Sequence, residues 1–271
     1  MNTDWDDAYD NSGHIEGAAE YPPKWAGLAQ TFRDDLTLDG RAELDLAYGD
    51  EAREKLDIFL PQGAATGLAV FAHGGFWKAF DKSTWSHLAT GAVSRGWAVC
   101  LPSYTLAPDA RISHITRQFA RAVEFAARRI DGPIRLAGHS AGGHLVSRMV
   151  CTDSPLQASP SRRIDHVLSI SGVHDLRPLL RTTMNETLQL DEAEATSESA
   201  ALCRPVDPCS VTCWVGAEER PAFVAQNDLL AHAWEELGAR TKSVHAPAKH
   251  HFNVIEDLCD PDSELTRDFI G

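Results

Sequence analysis

Basic residues are scarce in this chain, with 25 Lys and Arg against 39 Asp and Glu for a formal charge of -14. A partner that presents phosphates needs clustered Lys and Arg, so neither nucleic acid nor an anionic membrane surface is expected as a partner. No apolar run approaches the roughly 20 residues that a membrane helix needs. The opening MNTDWDDAYD is acidic where a signal peptide would be basic and then apolar, so the expected location is the cytoplasm. Cysteine is sparse too: six in 271 residues is far from the density of a disulfide scaffold. Cys203, Cys209 and Cys213 form no C-x-x-C pair or close Cys/His set, so no metal site is expected and reduced, mostly buried thiols are. Internal repeats and low-complexity segments are missing as well. What the chain does have is 43% hydrophobic residues, enough to bury the core of one large α/β domain spanning residues 1–271.

The most chemically specific stretch is IRLAGHSAGGHLVSRM, residues 134–149, where an apolar run breaks at Gly138-His139-Ser140-Ala141-Gly142 and resumes with helical spacing. This is a G-x-S-x-G nucleophile elbow. Such a strand-to-helix turn strains the central Ser, leaves no room for side chains at the flanking glycines, and places the hydroxyl at a helix N-terminus.

Along the chain, residues 1–35 are acidic and punctuated by Gly and Pro, which suggests an arm packed on the domain. Alternation from Leu44 predicts a hairpin with Leu44, Leu46, Leu56, Ile58 and Leu60 on one face and a turn at Gly49-Asp50. Strands are predicted at 68–72, 97–101, in the apolar run from Ile134 up to Gly138, and at 166–170, 211–215 and 242–246, and amphipathic helices at 84–95, 115–130, after the elbow, and at 228–237. Short final helices are predicted at 253–259 and from Ser263. Residues 177–206 lack a strand pattern and are read as short helices over the sheet, a lid-like insertion near the site. Strands alternating with amphipathic helices specify a mostly parallel sheet covered on both faces, with antiparallel strands at one edge. Reactive groups collect at the C-terminal ends of such strands.

An acyl-transfer Ser needs a base, an orienting acid and oxyanion donors. His250 and His251, just past the last strand, are the best-placed bases, because hydrolases built on this elbow order the triad Ser, acid, His. The acid should follow the 211–215 strand, where Glu218 and Glu219 are adjacent carboxylates that point in opposite directions in an extended loop. Asp207 and Asp228 remain alternatives. The loop His73-Gly74-Gly75-Phe76-Trp77 lets backbone approach a substrate, so the N–H groups of Gly75 and Phe76, with that of Ala141, are the candidate oxyanion donors. His139 and His144 are placed to line a pocket without acting as bases.

The chain resembles the kynurenine formamidases (arylformamidases) of the α/β-hydrolase superfamily over nearly its whole length. The resemblance rests on YPPKW, YGDEAREKLDIFLP, HGGFW, SYTLAP, GHSAGGHL, SGVHDLRPL, GAEERPAFVAQN and KHHFNVIEDL. It implies an α/β-hydrolase fold with Ser140 as nucleophile, His251 as base and Glu219 at the position of the acid, where the family usually has Asp. It further implies hydrolysis of N-formyl-L-kynurenine, or a related N-formyl arylamine, to the free amine and formate without a cofactor. Trp77 and Tyr104, with Phe76 and Phe80, are the aromatics expected around an aryl group, His139 is expected to bind substrate, and Arg220 is a candidate for a substrate carboxylate. A carboxylesterase acting on short acyl esters is the alternative, and a hydrolase-like protein that binds a ligand without turning it over is the non-enzymatic one. The partner expected is a small molecule; the oligomeric state is open, with a homodimer among the options.

Overall fold

The computed structural model describes residues 3–271. An eight-stranded sheet runs β1 (Ala42–Ala47), β2 (Lys55–Phe59), β3 (Leu68–Ala72), β4 (Ala98–Pro102), β5 (Ile134–His139), β6 (Ile164–Ile170), β7 (Ser210–Gly216) and β8 (Arg240–Ala246). Its spatial order is β1-β2-β4-β3-β5-β6-β7-β8. The pairs β1/β2 and β2/β4 are antiparallel and the others parallel. Strands β3 and β4 are buried at every position, as expected of short apolar runs sandwiched between helical layers. One core lies on each face of the sheet, one holding Ile115, Phe119, Leu145 and Trp234 and the other Trp25, Trp85, Leu258 and Phe269.

The hairpin departs from simple alternation. Asp45 has φ 56 and the register shifts between Glu43 and Leu46, a bulge that places Leu44 against one core and Leu46 against the other. Leu44 therefore does not share the face of Leu56 and Ile58.

Residues 3–35 are more ordered than an arm: Tyr21–Leu38 is an 18-residue helix that accepts Pro22 and Pro23 in its first turn, where their missing N–H groups are not needed. Arg33 on this helix and Lys82 both pair with the fully buried Asp57 of β2, Lys82 at 2.8 Å. The predicted helix at 84–95 is instead two 3₁₀ turns, Lys82–Thr84 and Ser86–Ala89, followed by the short α-helix Thr90–Ser94. Trp85 lies between the turns at φ -119, turned in to pack on Trp25 with ring centroids 4.6 Å apart. Residues 177–206 form short helical pieces, Arg177–Arg181, Asn185–Leu188, Glu192–Ser197 and Ala200–Leu202. The helix before the elbow spans Ile112–Ala127, and the one after β7 begins at Pro221.

The order of strands positions the site. The chain starts the parallel sheet at β3 and builds outward in both directions, so the crevice between β3 and β5 is the switch point of the topology. Ala72 and Gly138 are register partners there, which sets the glycine loop after β3 beside the elbow after β5.

Candidate active site

Ser140 occupies the turn between β5 and the elbow helix Ala141–Arg148 with φ 56 and ψ -117, a conformation that a non-glycine residue holds only when its surroundings impose it. Close packing imposes it here. A Cβ on Gly138 would lie 2.2 Å from the Gly142 carbonyl oxygen, and one on Gly142 would lie 2.0 Å from that of Ala72. The helix start thus abuts the end of β3.

The loop after β3 lies directly over Ser140, since a Cβ on Gly74 would come within 3.2 Å of Ser140 Cβ. Gly75, Phe76 and Trp77 all have positive φ, at 110, 48 and 55. The N–H groups of Gly75, Phe76 and Ala141 donate to no other group among the described residues, which leaves them available to an oxyanion. His73 anchors the loop from below. It stacks on Tyr104 at 4.4 Å, accepts the Tyr104 hydroxyl at its own carbonyl (2.9 Å), and donates from Nδ1 to the Gly74 carbonyl (2.7 Å). Burial pushes its imidazole down to about 4, so it is neutral.

The ends of β7 and β8 bring in the other two groups. A Cβ on Gly216 would lie 2.3 Å from the Lys249 carbonyl oxygen, so the β8 loop can close on β7 only because that residue is glycine. The Glu218 N–H donates to Lys249 and its side chain is exposed, whereas the Glu219 N–H turns back to Gly216 and its side chain points inward. Glu219 Oε2 accepts from His251 Nδ1 at 2.6 Å, while Oε1 accepts from the Gly216 N–H at 2.8 Å and the Ser171 hydroxyl at 2.5 Å. Both oxygens of the carboxylate are thus hydrogen-bonded. With Nδ1–H committed to the carboxylate, Nε2 of His251 is the free basic nitrogen. His250 faces elsewhere, with Nε2 at 3.2 Å from the Tyr21 hydroxyl.

Ser140 and His251 line one cavity of about 1070 Å³. Among the described residues no hydrogen bond joins the Ser140 hydroxyl to the imidazole, whose bonded nitrogen is the one held by Glu219. Such bonds commonly tighten only with substrate in place. The cavity walls are aromatic, with Trp25, Phe76, Phe80, Trp85 and Phe252, and its outer rim carries Asp6, Asp7 and Asp10 from the N-terminal segment and Thr183 and Glu186 from the helical insertion.

Trp77 and Tyr104 correct the expectation of pocket aromatics. Both are fully buried and neither reaches the cavity: the positive φ of Trp77 turns its ring inward onto His144 at 5.2 Å, and Tyr104 is spent on His73. Arg220 is committed to Asp7 rather than free for a substrate. His139 does line the cavity, and it does a second job, since its Nε2–H donates to the main-chain carbonyl of His251 at 2.9 Å with the two rings 4.6 Å apart. Burial and the neighbouring His251 hold His139 well below the usual imidazole range, so it stays neutral in that role. Sequence reasoning did not single out Ser171 or Phe223, whose ring lies 4.5 Å from that of His251. Placement at the mouths of β6 and β7 was the available signal for both.

The only cluster of three metal-ligating side chains among the described residues, Cys151, Asp153 and Cys203, lies at the far end of the elbow helix and outside this cavity. No described helix is long and apolar enough to cross a membrane.

Comparison with known proteins matches residues 56–228 to the BD-FAE family model. Kynurenine formamidase of Salmo salar is 30% identical over 94% of this chain and 86% of its own length, and that of Danio rerio is 31% identical over 83% and 79%. Among solved structures, a candidate thioesterase from Silicibacter sp. superposes with a TM-score of 0.95, 52% identical and covering the whole of both chains.

Proposed function

The chain belongs to the kynurenine formamidase family of α/β-hydrolases, and from that membership we propose that it is an arylformamidase acting on N-formyl-L-kynurenine or a related N-formyl arylamine. The proposed machinery is a Ser140-His251-Glu219 triad with an oxyanion site built from the N–H groups of Gly75, Phe76 and Ala141. His251 Nε2 takes the proton of the Ser140 hydroxyl as Oγ bonds to the formyl carbon, and the loop amides hold the negative oxygen of the tetrahedral intermediate. The imidazolium then protonates the departing arylamine as the C–N bond breaks. Water, deprotonated by the same imidazole, attacks the formyl-enzyme, and formate leaves with regeneration of the hydroxyl.

The observation that supports this reading most is the buried carboxylate of Glu219 on Nδ1 of His251, an imidazole that lines the same cavity as Ser140. A protein that only binds a ligand has no use for that arrangement. The aromatic walls suit an aryl group, and Lys78, exposed on the cavity wall with no ion pair among the described residues, is the cation available to a substrate carboxylate.

A second reading is an esterase or thioesterase, favoured by the 52% identical Silicibacter protein. Parallel assays with N-formylkynurenine, p-nitrophenyl acetate and a short acyl thioester separate the two. Formamide turnover abolished by Ser140→Ala is the expected result; formamide turnover no better than that of the variant, beside fast ester or thioester cleavage, would reject the formamidase reading. A fluorophosphonate probe that failed to label Ser140 would reject the hydrolase machinery altogether.

A further inference from the structure

The elbow helix ends in a thiol cluster that the proposed hydrolysis does not use. Cys151, 1% exposed, and Cys203, half-buried, place their sulfurs within 4.8 Å of each other and of an Asp153 carboxylate oxygen. Arg148 fills the middle of this group although it is itself only 3% exposed. Its guanidinium donates to Asp153 Oδ1 at 2.8 Å, to Asp153 Oδ2 at 3.1 Å and to Cys203 Sγ at 3.2 Å. A cation already sits where a metal ion would have to go, so the donor set favours an anionic sulfur rather than a bound metal. The two backbones are clamped beside it, Thr152 N–H to the Arg204 carbonyl at 2.9 Å and Val206 N–H to that of Val150 at 2.8 Å. The segments that carry the two thiols are therefore held side by side.

We propose that Cys203 and Cys151 form a peroxide-reactive thiol pair, with Cys203 as the attacking sulfur and Cys151 as the resolving one. The Cys203 thiolate attacks one oxygen of a hydroperoxide, the O–O bond breaks, and Cys203 becomes a sulfenic acid as the other oxygen leaves as hydroxide or alkoxide, which takes up a proton. Cys151 then attacks the sulfenic sulfur, its thiol proton goes to the departing hydroxyl, and water leaves as the S–S bond forms. The peroxide is reduced by two electrons and the two thiols are oxidised by one each. The electrostatics follow the same assignment: the adjacent Cys151 side chain and the Arg148 charge hold the Cys203 thiol below its ordinary value, while the neighbouring Cys203 and burial push Cys151 up. The site is independent of the triad, and its test does not require a substrate.

Cys259 provides an internal standard, because it is also half-buried while burial pushes its thiol up to about 12. In native protein at neutral pH, iodoacetamide should alkylate Cys203 at least about tenfold faster than Cys259, read by peptide mass spectrometry. Hydrogen peroxide should yield a Cys151–Cys203 linked peptide that dithiothreitol reverses. In Cys151→Ser the same treatment should leave a sulfenic acid at Cys203 that dimedone captures, and in Asp153→Asn, which frees Arg148 for the sulfur, alkylation of Cys203 should accelerate. Equal alkylation of Cys203 and Cys259 in the wild-type protein, or peroxide treatment that gives no linked peptide, would overturn the proposal without recourse to any variant.

Discussion

Replacing Glu219 by Gln is the sharpest test of the proposed triad, because the carboxylate is surrounded by donors on both oxygens. Oε1 receives the Gly216 N–H at 2.8 Å and the Ser171 hydroxyl at 2.5 Å, so the carbonyl oxygen of a Gln stays there; a flipped amide would set its NH₂ against the Gly216 N–H, which can only donate. The NH₂ group is then forced toward His251 Nδ1, where the carboxylate oxygen stood at 2.6 Å. Facing a donor, Nδ1 must accept, and the imidazole proton moves to Nε2, the nitrogen that has to receive the proton of Ser140. A reversed tautomer of this kind costs a serine triad about 10⁴ in kcat, roughly 5.5 kcal/mol of barrier. The assay is kcat on N-formylkynurenine and on p-nitrophenyl acetate, with the rate of fluorophosphonate labelling as a substrate-independent readout. Glu218→Gln, on the exposed neighbour, should change these by no more than a surface substitution does, about 0.5 kcal/mol. Glu219→Asp should fall between and should lose formamide turnover before ester turnover, since an ester leaving group needs little protonation and tolerates a misaligned base. Glu219→Gln retaining more than a tenth of wild-type kcat while Glu218→Gln collapses would refute the assignment of the acid.

Further outcomes concern the frame around the site. Gly142→Ala should destabilise the fold by about 3 kcal/mol, because the added methyl meets backbone, the Ala72 carbonyl oxygen 2.0 Å away, and cannot be relieved by a rotamer change. Calorimetry should register this as a Tm lowered by roughly 6–12 °C, and an unchanged Tm would show that the elbow helix can back away from β3. His73, His144 and His174 are held by burial at about 4, about 3 and about 3, against about 6.5 in the unfolded chain, so stability from their neutral forms is complete above pH 6.5 and is lost as pH falls below it. At pH 5 the loss is about 2 kcal/mol for each, and a urea midpoint that stays constant between pH 7 and pH 5 would contradict it. Asp57→Asn removes the buried partner of Lys82 and Arg33 and should cost about 3–5 kcal/mol in urea unfolding, with a loss within 0.5 kcal/mol counting against a structural role for that ion cluster.

The parts of the fold that could be read from sequence are those whose burial leaves a local pattern. Strands such as Leu68–Ala72 are buried on both faces and appear as unbroken apolar runs, here closed by His73-Gly74-Gly75, so their placement follows from composition alone. The Tyr21–Leu38 helix leaves almost no such trace, since it buries only Trp25, Ala29 and Leu36, and its two prolines look like breakers unless they are known to sit in the first turn. Spacing likewise could not choose between Glu218 and Glu219. That choice is made by Gly216, which admits the Lys249 carbonyl and thereby decides which of the two adjacent side chains turns outward. The same limit explains Trp77 and Tyr104: residue type identifies them as large and aromatic, but the side to which each ring points depends on a positive φ in one case and on the stacking partner His73 in the other. Ser171 and His139 take this furthest. Each acts on a residue far along the chain, Glu219 and His251, through a bond that exists only once β5 to β8 are aligned. A pattern confined to neighbours in sequence carries the strand ends that face the site, whereas the hydrogen bonds that orient Glu219 and His251 are written in the register between strands.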